Sequence, residues 1–115
     1  LNDSGQCGDG SLNAVLEPRL NMEWRKSCDG KIVDVKCGSF HSYAMCECED
    51  GGSAHFLWGD NEHGECVLKG ADADQLCVNL PFMINNLFLE LTGKRIKNVF
   101  LGDELTFIIG VSIDK

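Results

Sequence analysis

The chain repeats itself, and any fold proposed for it has to be built from the same unit more than once. Asn2-Asp3-Ser4-Gly5-Gln6-Cys7 returns as Asn61-Glu62-His63-Gly64-Glu65-Cys66, a shift of 59 residues. Val15-Leu16-Glu17-Pro18 returns as Val78-Asn79-Leu80-Pro81, and the turn Gly30-Lys31 as Gly93-Lys94, both 63 apart. Ile32-Val33-Asp34-Val35-Lys36-Cys37-Gly38 then matches Ile96-Lys97-Asn98-Val99-Phe100-Leu101-Gly102 at a shift of 64, with Ser42 and Thr106 holding one place. Separated blocks in one order, at shifts that differ only by loop-sized insertions, define a unit of about 60 residues.

Within the unit the periodicity is that of strands. Ile32, Val33 and Val35 before Gly38, and Val99, Phe100 and Leu101 before Gly102, are short β-branched or apolar runs that stop at a glycine. Ser42 to Cys48 and Thr106 to Val111 read as second strands across a tight turn. His55-Phe56-Leu57-Trp58 reads as a further strand, approached through the hairpin signal Asp50-Gly51-Gly52. Phe82 to Leu91 resists this pattern, with apolar residues at 84, 87, 88 and 91, and reads as loop or one helical turn. The fold class expected is all-β.

A chain of 115 residues with 43% hydrophobic and 24% charged residues, 13 Gly and 2 Pro has the composition of a folded domain, not of a disordered or collagenous one. Its formal charge of −8 repels phosphate backbones and anionic lipid, which argues against nucleic acid and membrane as partners. The best basic cluster, Lys94, Arg95 and Lys97, is small and reads as a solvated turn. No apolar run reaches the ~18–20 residues of a membrane span. The start, Leu1-Asn2-Asp3-Ser4, has no initiator Met and no targeting pattern, so it reads as cut. Seven cysteines, an odd number lying inside apolar or turn motifs, read as reduced thiols, and hence as a cytoplasmic or nuclear chain.

Val35-Lys36-Cys37-Gly38-Ser39-Phe40-His41-Ser42, then Asp50-Gly51-Gly52, then Leu57-Trp58-Gly59-Asp60-Asn61-Glu62-His63-Gly64-Glu65, together resemble a repeat of the regulator of chromosome condensation family. Asn2 to Gly10 resembles the tail of the preceding repeat. The resemblance spans nearly the whole chain, with departures: Leu105 stands where a histidine is usual, Val67 follows Cys66 where Gly8 follows Cys7, and Cys7 and Cys66 stand where leucine is usual. It implies a seven-bladed β-propeller of four-stranded antiparallel sheets. A ring needs about 4–8 blades to close, so about two blades make this a part of a larger ring. Residues 1–29 would be the tail of one repeat and a connecting loop, 30–92 one full repeat, and 93–115 the first strands of the next, all within one propeller segment.

The resemblance makes Gly5, Gly38, His41, Trp58, Gly59, Gly64 and Gly102 structural positions of the repeat, with His41 hydrogen-bonding inside its own blade. A Zn²⁺ site can be drawn from Cys46, Cys48, His41 and His55, but Cys46-x-Cys48 is not the C-x₂₋₄-C spacing of structural zinc and has no second pair. These cysteines therefore read as buried thiols. Trp24, in a connecting loop, is the candidate partner contact, and the acidic loop Asp72-Ala73-Asp74 reads as solvated. No catalytic, cofactor-binding or metal residue emerges. The function expected is a non-catalytic protein-interaction scaffold, bound to a protein partner and to the rest of the ring or to other copies of the chain. The alternative that the resemblance implies is guanine-nucleotide exchange on a Ran-like small GTPase.

Overall fold

The computed structural model describes residues 2–3, 5–13, 30–49, 51–62, 66, 77–103 and 105–112. Trp24, Gly64 and the loop 72–74 lie outside the described residues. Four strands, β1 (Lys31–Cys37), β2 (His41–Glu47), β3 (Ser53–Asp60) and β4 (Cys77–Met83), form one sheet in that order. Each is antiparallel to its neighbour. Helix α1 (Asn85–Thr92) follows, then β5 (Lys94–Leu101) and β6 (Thr106–Ser112) pair in a second sheet. The fold is all-β, one complete four-stranded blade and the first two strands of the next.

The repeat is written into the hydrogen-bond register. β1 gains one residue on β2 between Ile32 and Asp34, and β5 gains one on β6 between Ile96 and Asn98. Val33 and Lys97 are thus bulges at equivalent places. The closing pairs Cys37↔Ser42 and Leu101↔Thr106 are equivalent too. Both hairpins turn the same way: the Gly38 amide donates to the His41 carbonyl at 2.8 Å, and the Gly102 amide to that of Leu105 at 2.9 Å. The register pairs Lys31 with Glu47 and Arg95 with Val111, so Lys94 is the equivalent of Gly30. The turn alignment at 63 read from the sequence therefore moves to 64.

Two elements depart from the sequence reading. β4 is a strand where only a repeat match was seen, and Pro81 hid it. Proline cannot donate to a ladder and is confined to edges and bulges. β4 is the outer strand of its sheet, and its pairing with β3 slips by two residues between Leu57↔Phe82 and Gly59↔Val78, which accommodates Pro81. The segment read as loop or one turn is instead an eight-residue helix, closed by Gly93 in the left-handed conformation (φ 73°), whose amide donates to the Leu89 carbonyl at 2.7 Å. Tertiary anchors hold this short helix. Asn85 accepts from the His55 amide at 2.8 Å and donates to the Ser53 carbonyl at 2.8 Å, and a side chain at Gly110 would strike the Phe88 ring.

The core lies on the two middle strands. Tyr43, Ala44, Cys46, Phe56, Leu57 and Trp58 are buried, and His41 to Ala44 are buried consecutively, so both faces of the sheet are covered. The expectation of reduced thiols fails at Cys46, which is disulfide-bonded; Cys7, Cys37, Cys48, Cys66 and Cys77 are thiols. Cys46 is buried inside the sheet, whereas Cys48 lies past the end of β2. No helix among the described residues is long and apolar enough to cross a membrane.

Candidate functional site

Side chains alternate across a strand with period two, and on β2 and β3 this sends two sets of residues to two neighbours. Ser42 and Trp58 are directly paired across the strands, and both reach the N-terminal segment. The Trp58 indole N–H donates to the Gln6 carbonyl at 2.6 Å, and the Ser42 hydroxyl donates to the same oxygen at 3.2 Å. Gly8 (φ 66°) lies against this indole, since a Cβ there would sit 2.9 Å from Trp58 Nε1. Gly5 is buried at φ 81°, with its amide donating to the Asn2 carbonyl. The Asn2 side chain accepts from the Cys7 amide at 2.8 Å, as Asn61 accepts from Cys66 at 3.0 Å. The block read as the tail of a preceding repeat thus carries the same clasp as its copy.

The other face meets the next repeat. His41 Nε2 lies 3.2 Å from the Leu105 carbonyl and 3.1 Å from Thr106 Oγ1. Its hydrogen bond therefore crosses to the following unit instead of staying within its own blade, as the resemblance had implied. The reason is local: the imidazole folds over Gly38, where a Cβ would come within 2.3 Å of it and 2.5 Å of the Gly102 carbonyl. Only glycine leaves room for ring and neighbouring turn together. Ser39 donates to the Asp103 carboxylate at 2.9 Å, a contact between equivalent positions of the two turns. Lys36 donates to Asn98 Oδ1 at 2.9 Å and to the Val99 carbonyl. Its ammonium lies 4.6 Å from the centroid of Phe100 and 5.6 Å from that of Tyr43, contacts worth about 0.5–1 kcal/mol each where partly exposed.

Tyr43 and His55 share that face. The phenol oxygen lies 2.6 Å from His55 Nδ1, and the rings stack 5.9 Å apart. Burial pushes the Tyr43 hydroxyl up to about 12, with the Asp34 charge adding to it. Burial also pulls the His55 imidazole below its ordinary value, with Lys36 acting the same way. Both shifts favour the neutral pair. Unfolded chains therefore take up a proton at His55 more readily, so stability is full above about pH 6.5 and falls as the pH drops below it. Unfolded chains also lose the Tyr43 proton first, so stability falls again as the pH rises from about 10 toward 12. Urea midpoints between about pH 5 and 11 should trace this plateau, and Tyr43→Phe should flatten its alkaline shoulder. Equal midpoints at pH 7.5 and pH 5.5, or an unchanged shoulder in the variant, would contradict it.

The residues drawn together as a Zn²⁺ site are not assembled. His41 is bound to the next turn, His55 to Tyr43, and Cys46 is disulfide-bonded. Among the described residues no group of three or more His, Cys, Asp or Glu is placed to hold a metal. Gly59 (φ 109°) lies under the His41 backbone, and Gly102 repeats the place of Gly38. What the arrangement does chemically is clasp: polar atoms that a local reading left undefined join one repeat to the next. Sequence reasoning missed Lys36, Ser39 and the Gln6 carbonyl. The first two could have been found by pairing each with its own equivalent in the following copy.

Comparison with known proteins agrees with this geometry. The family model described as Regulator of chromosome condensation (RCC1) repeat matches residues 1–45. RCC1 domain-containing protein 1 of Homo sapiens is 37% identical over 65 residues, covering 56% of this chain and 15% of that protein. The Mus musculus protein of the same name is 38% identical over 64 residues, with the same shares. The chain thus spans about 15% of the length of these curated relatives. No solved structure matches it significantly.

Proposed function

This chain carries repeats of the regulator of chromosome condensation family, and from that premise we propose that it is a stretch of propeller wall acting as a non-catalytic scaffold for a protein partner. The observation that carries the reading is the use made of His41. The side chain a catalytic scheme would take first is buried and tied to Leu105 and Thr106, so it fixes the spacing of two repeats. Rigid scaffolds of this kind present their specificity on loops. Trp24 remains the candidate anchor for a partner, and a cytoplasmic or nuclear setting rests on the five described thiols, with the disulfide at Cys46 counting against it.

The rest of the ring, or other copies of the chain, is the second class of partner. Tyr43 is 1% exposed, whereas its equivalent Phe107 is 61% exposed, so the second unit carries an apolar face that the first has covered. Guanine-nucleotide exchange on a Ran-like GTPase stays as the alternative.

One assay separates the two. A Ran-like GTPase loaded with a fluorescent guanine nucleotide is mixed with excess protein, and release is followed. The scaffold reading expects the release rate to stay within about twofold of the spontaneous rate. Acceleration of tenfold or more, a barrier lowered by about 1.4 kcal/mol, would replace it with the exchange reading.

A further inference from the structure

At the end of the blade opposite the His41 turn, a cavity of about 470 Å³ opens between the start of β3, the first turn of α1 and the start of β5. That volume is within the range of built binding clefts. Lys94, Arg95 and Lys97 line it, with Ser53, Asn85 and Asn86 facing them. Three of the chain's ten Lys and Arg residues therefore converge on one hollow in a molecule of net charge −8. They lie on β5 and not in a turn, and all three are exposed to solvent. Among the described residues none of the three makes a salt bridge.

The repeat shows that the strand does not need these charges. The equivalents of Lys94, Arg95 and Lys97 in the first copy are Gly30, Lys31 and Val33, yet β1 has the same register and the same bulge. Glycine and valine build this strand, so two of the three cations are additions to it. The bulge at Lys97 places it beside Ile96 with no partner of its own, a device that re-aims side chains, and residues 94 to 97 all border the cavity. The first turn of α1 holds no acidic residue, so its field adds to the same sign.

We propose that this cavity docks the carboxylates of an acidic peptide segment in a partner protein, a reading that deepens the scaffold function and rests on it. The charge distribution selects a peptide over a nucleic acid. Exposed carboxylates stand at both ends of the blade, Asp3, Glu62 and Asp103 at one and Glu47 and Glu49 at the other, and three cations in a hollow do not make the continuous track that a phosphate backbone requires. Acidic side chains entering singly fit a short cationic recess.

The test is anisotropy of a fluorescein-labelled hexaglutamate peptide titrated with the full chain. The parent should bind at about 0.05 M NaCl and at least tenfold more weakly at about 0.5 M, where the Debye length is about threefold shorter. The double substitution Lys94→Gly with Lys97→Val, which writes the first copy's residues into the second, should weaken binding at least tenfold. Lys97→Gln alone, a milder change for folding, should weaken it about threefold, with circular dichroism unchanged. Absence of peptide binding by the parent, or variants that bind within 20% of the parent, would overturn the proposal. So would a labelled oligothymidylate that binds more tightly than the peptide and loses affinity in the same variants. A natural partner held equally by parent and double variant would overturn the cavity assignment and leave the scaffold reading standing.

Discussion

Gly59→Ala should be among the most damaging single substitutions in the chain, lowering unfolding free energy by about 2–6 kcal/mol. Two costs coincide at this position. The backbone is at φ 109°, which residues with a Cβ rarely adopt, a strain of about 1–3 kcal/mol. An added Cβ would also stand 2.6 Å from the Phe40 carbonyl oxygen and 2.7 Å from His41 Cα. These are backbone atoms, fixed because Gly59 pairs with His41 and the Asp60 amide donates to Phe40 at 2.8 Å, so relief requires parting β2 from β3. Overpacking of this kind costs about 1–3 kcal/mol more, against a total of about 5–15 for a domain. Gly51→Ala is the internal control, since Gly51 has φ 91° but nothing within 4 Å of a Cβ. Urea unfolding of both variants should give a clearly smaller loss for Gly51→Ala. Equal losses would mean that the close approach beneath His41 contributes nothing.

The second large effect is expected at Trp58. Trp58→Ala should cost about 3–5 kcal/mol, the usual toll of deleting a buried aromatic, because the side chain is 5% exposed and packs in the central cluster. It should also release the N-terminal segment, whose Gln6 carbonyl is held by the indole N–H. Trp58→Phe keeps most of the apolar volume and removes the donor, leaving the Ser42 hydroxyl on the same oxygen, and should cost about 1–2 kcal/mol. Amide exchange separates the contributions: residues 5–13 should lose protection in both variants, and β2 and β3 only in the alanine variant. Unchanged protection at residues 5–13 in both would rule out the indole as the clasp between repeats.

These predictions share one source, the way the repeat uses its own copy. His41, Ser39 and Lys36 each contact a residue between 62 and 65 positions ahead, one repeat length away. A histidine in such a place looks functional to a local reading, because its partners are absent from the surrounding sequence. In the structure its role is to join turns. The same arrangement accounts for Leu105 standing at the equivalent position: what the preceding His41 requires of residue 105 is its backbone carbonyl, which any residue supplies.

The sequence by itself determined the repeat, the all-β class, the two hairpins and the glycines at their turns. Strand periodicity and turn chemistry are local properties, and the shifts of 59 and 64 residues carry the same hydrogen bonds at Asn2 and Asn61 and the same bulges at Val33 and Lys97. Tertiary structure decided the remainder. β4 is a strand because β3 offers it an edge wide enough to bulge around Pro81, and α1 is a helix because Asn85 and Phe88 anchor it to the sheets on either side. The Gln6 carbonyl is a backbone acceptor that no residue type announces. Lys94, Arg95 and Lys97 became the wall of a cavity only when the start of β3 and the helix were set opposite them, since the effect of a charge depends on what faces it across space, and the faces here meet one repeat apart.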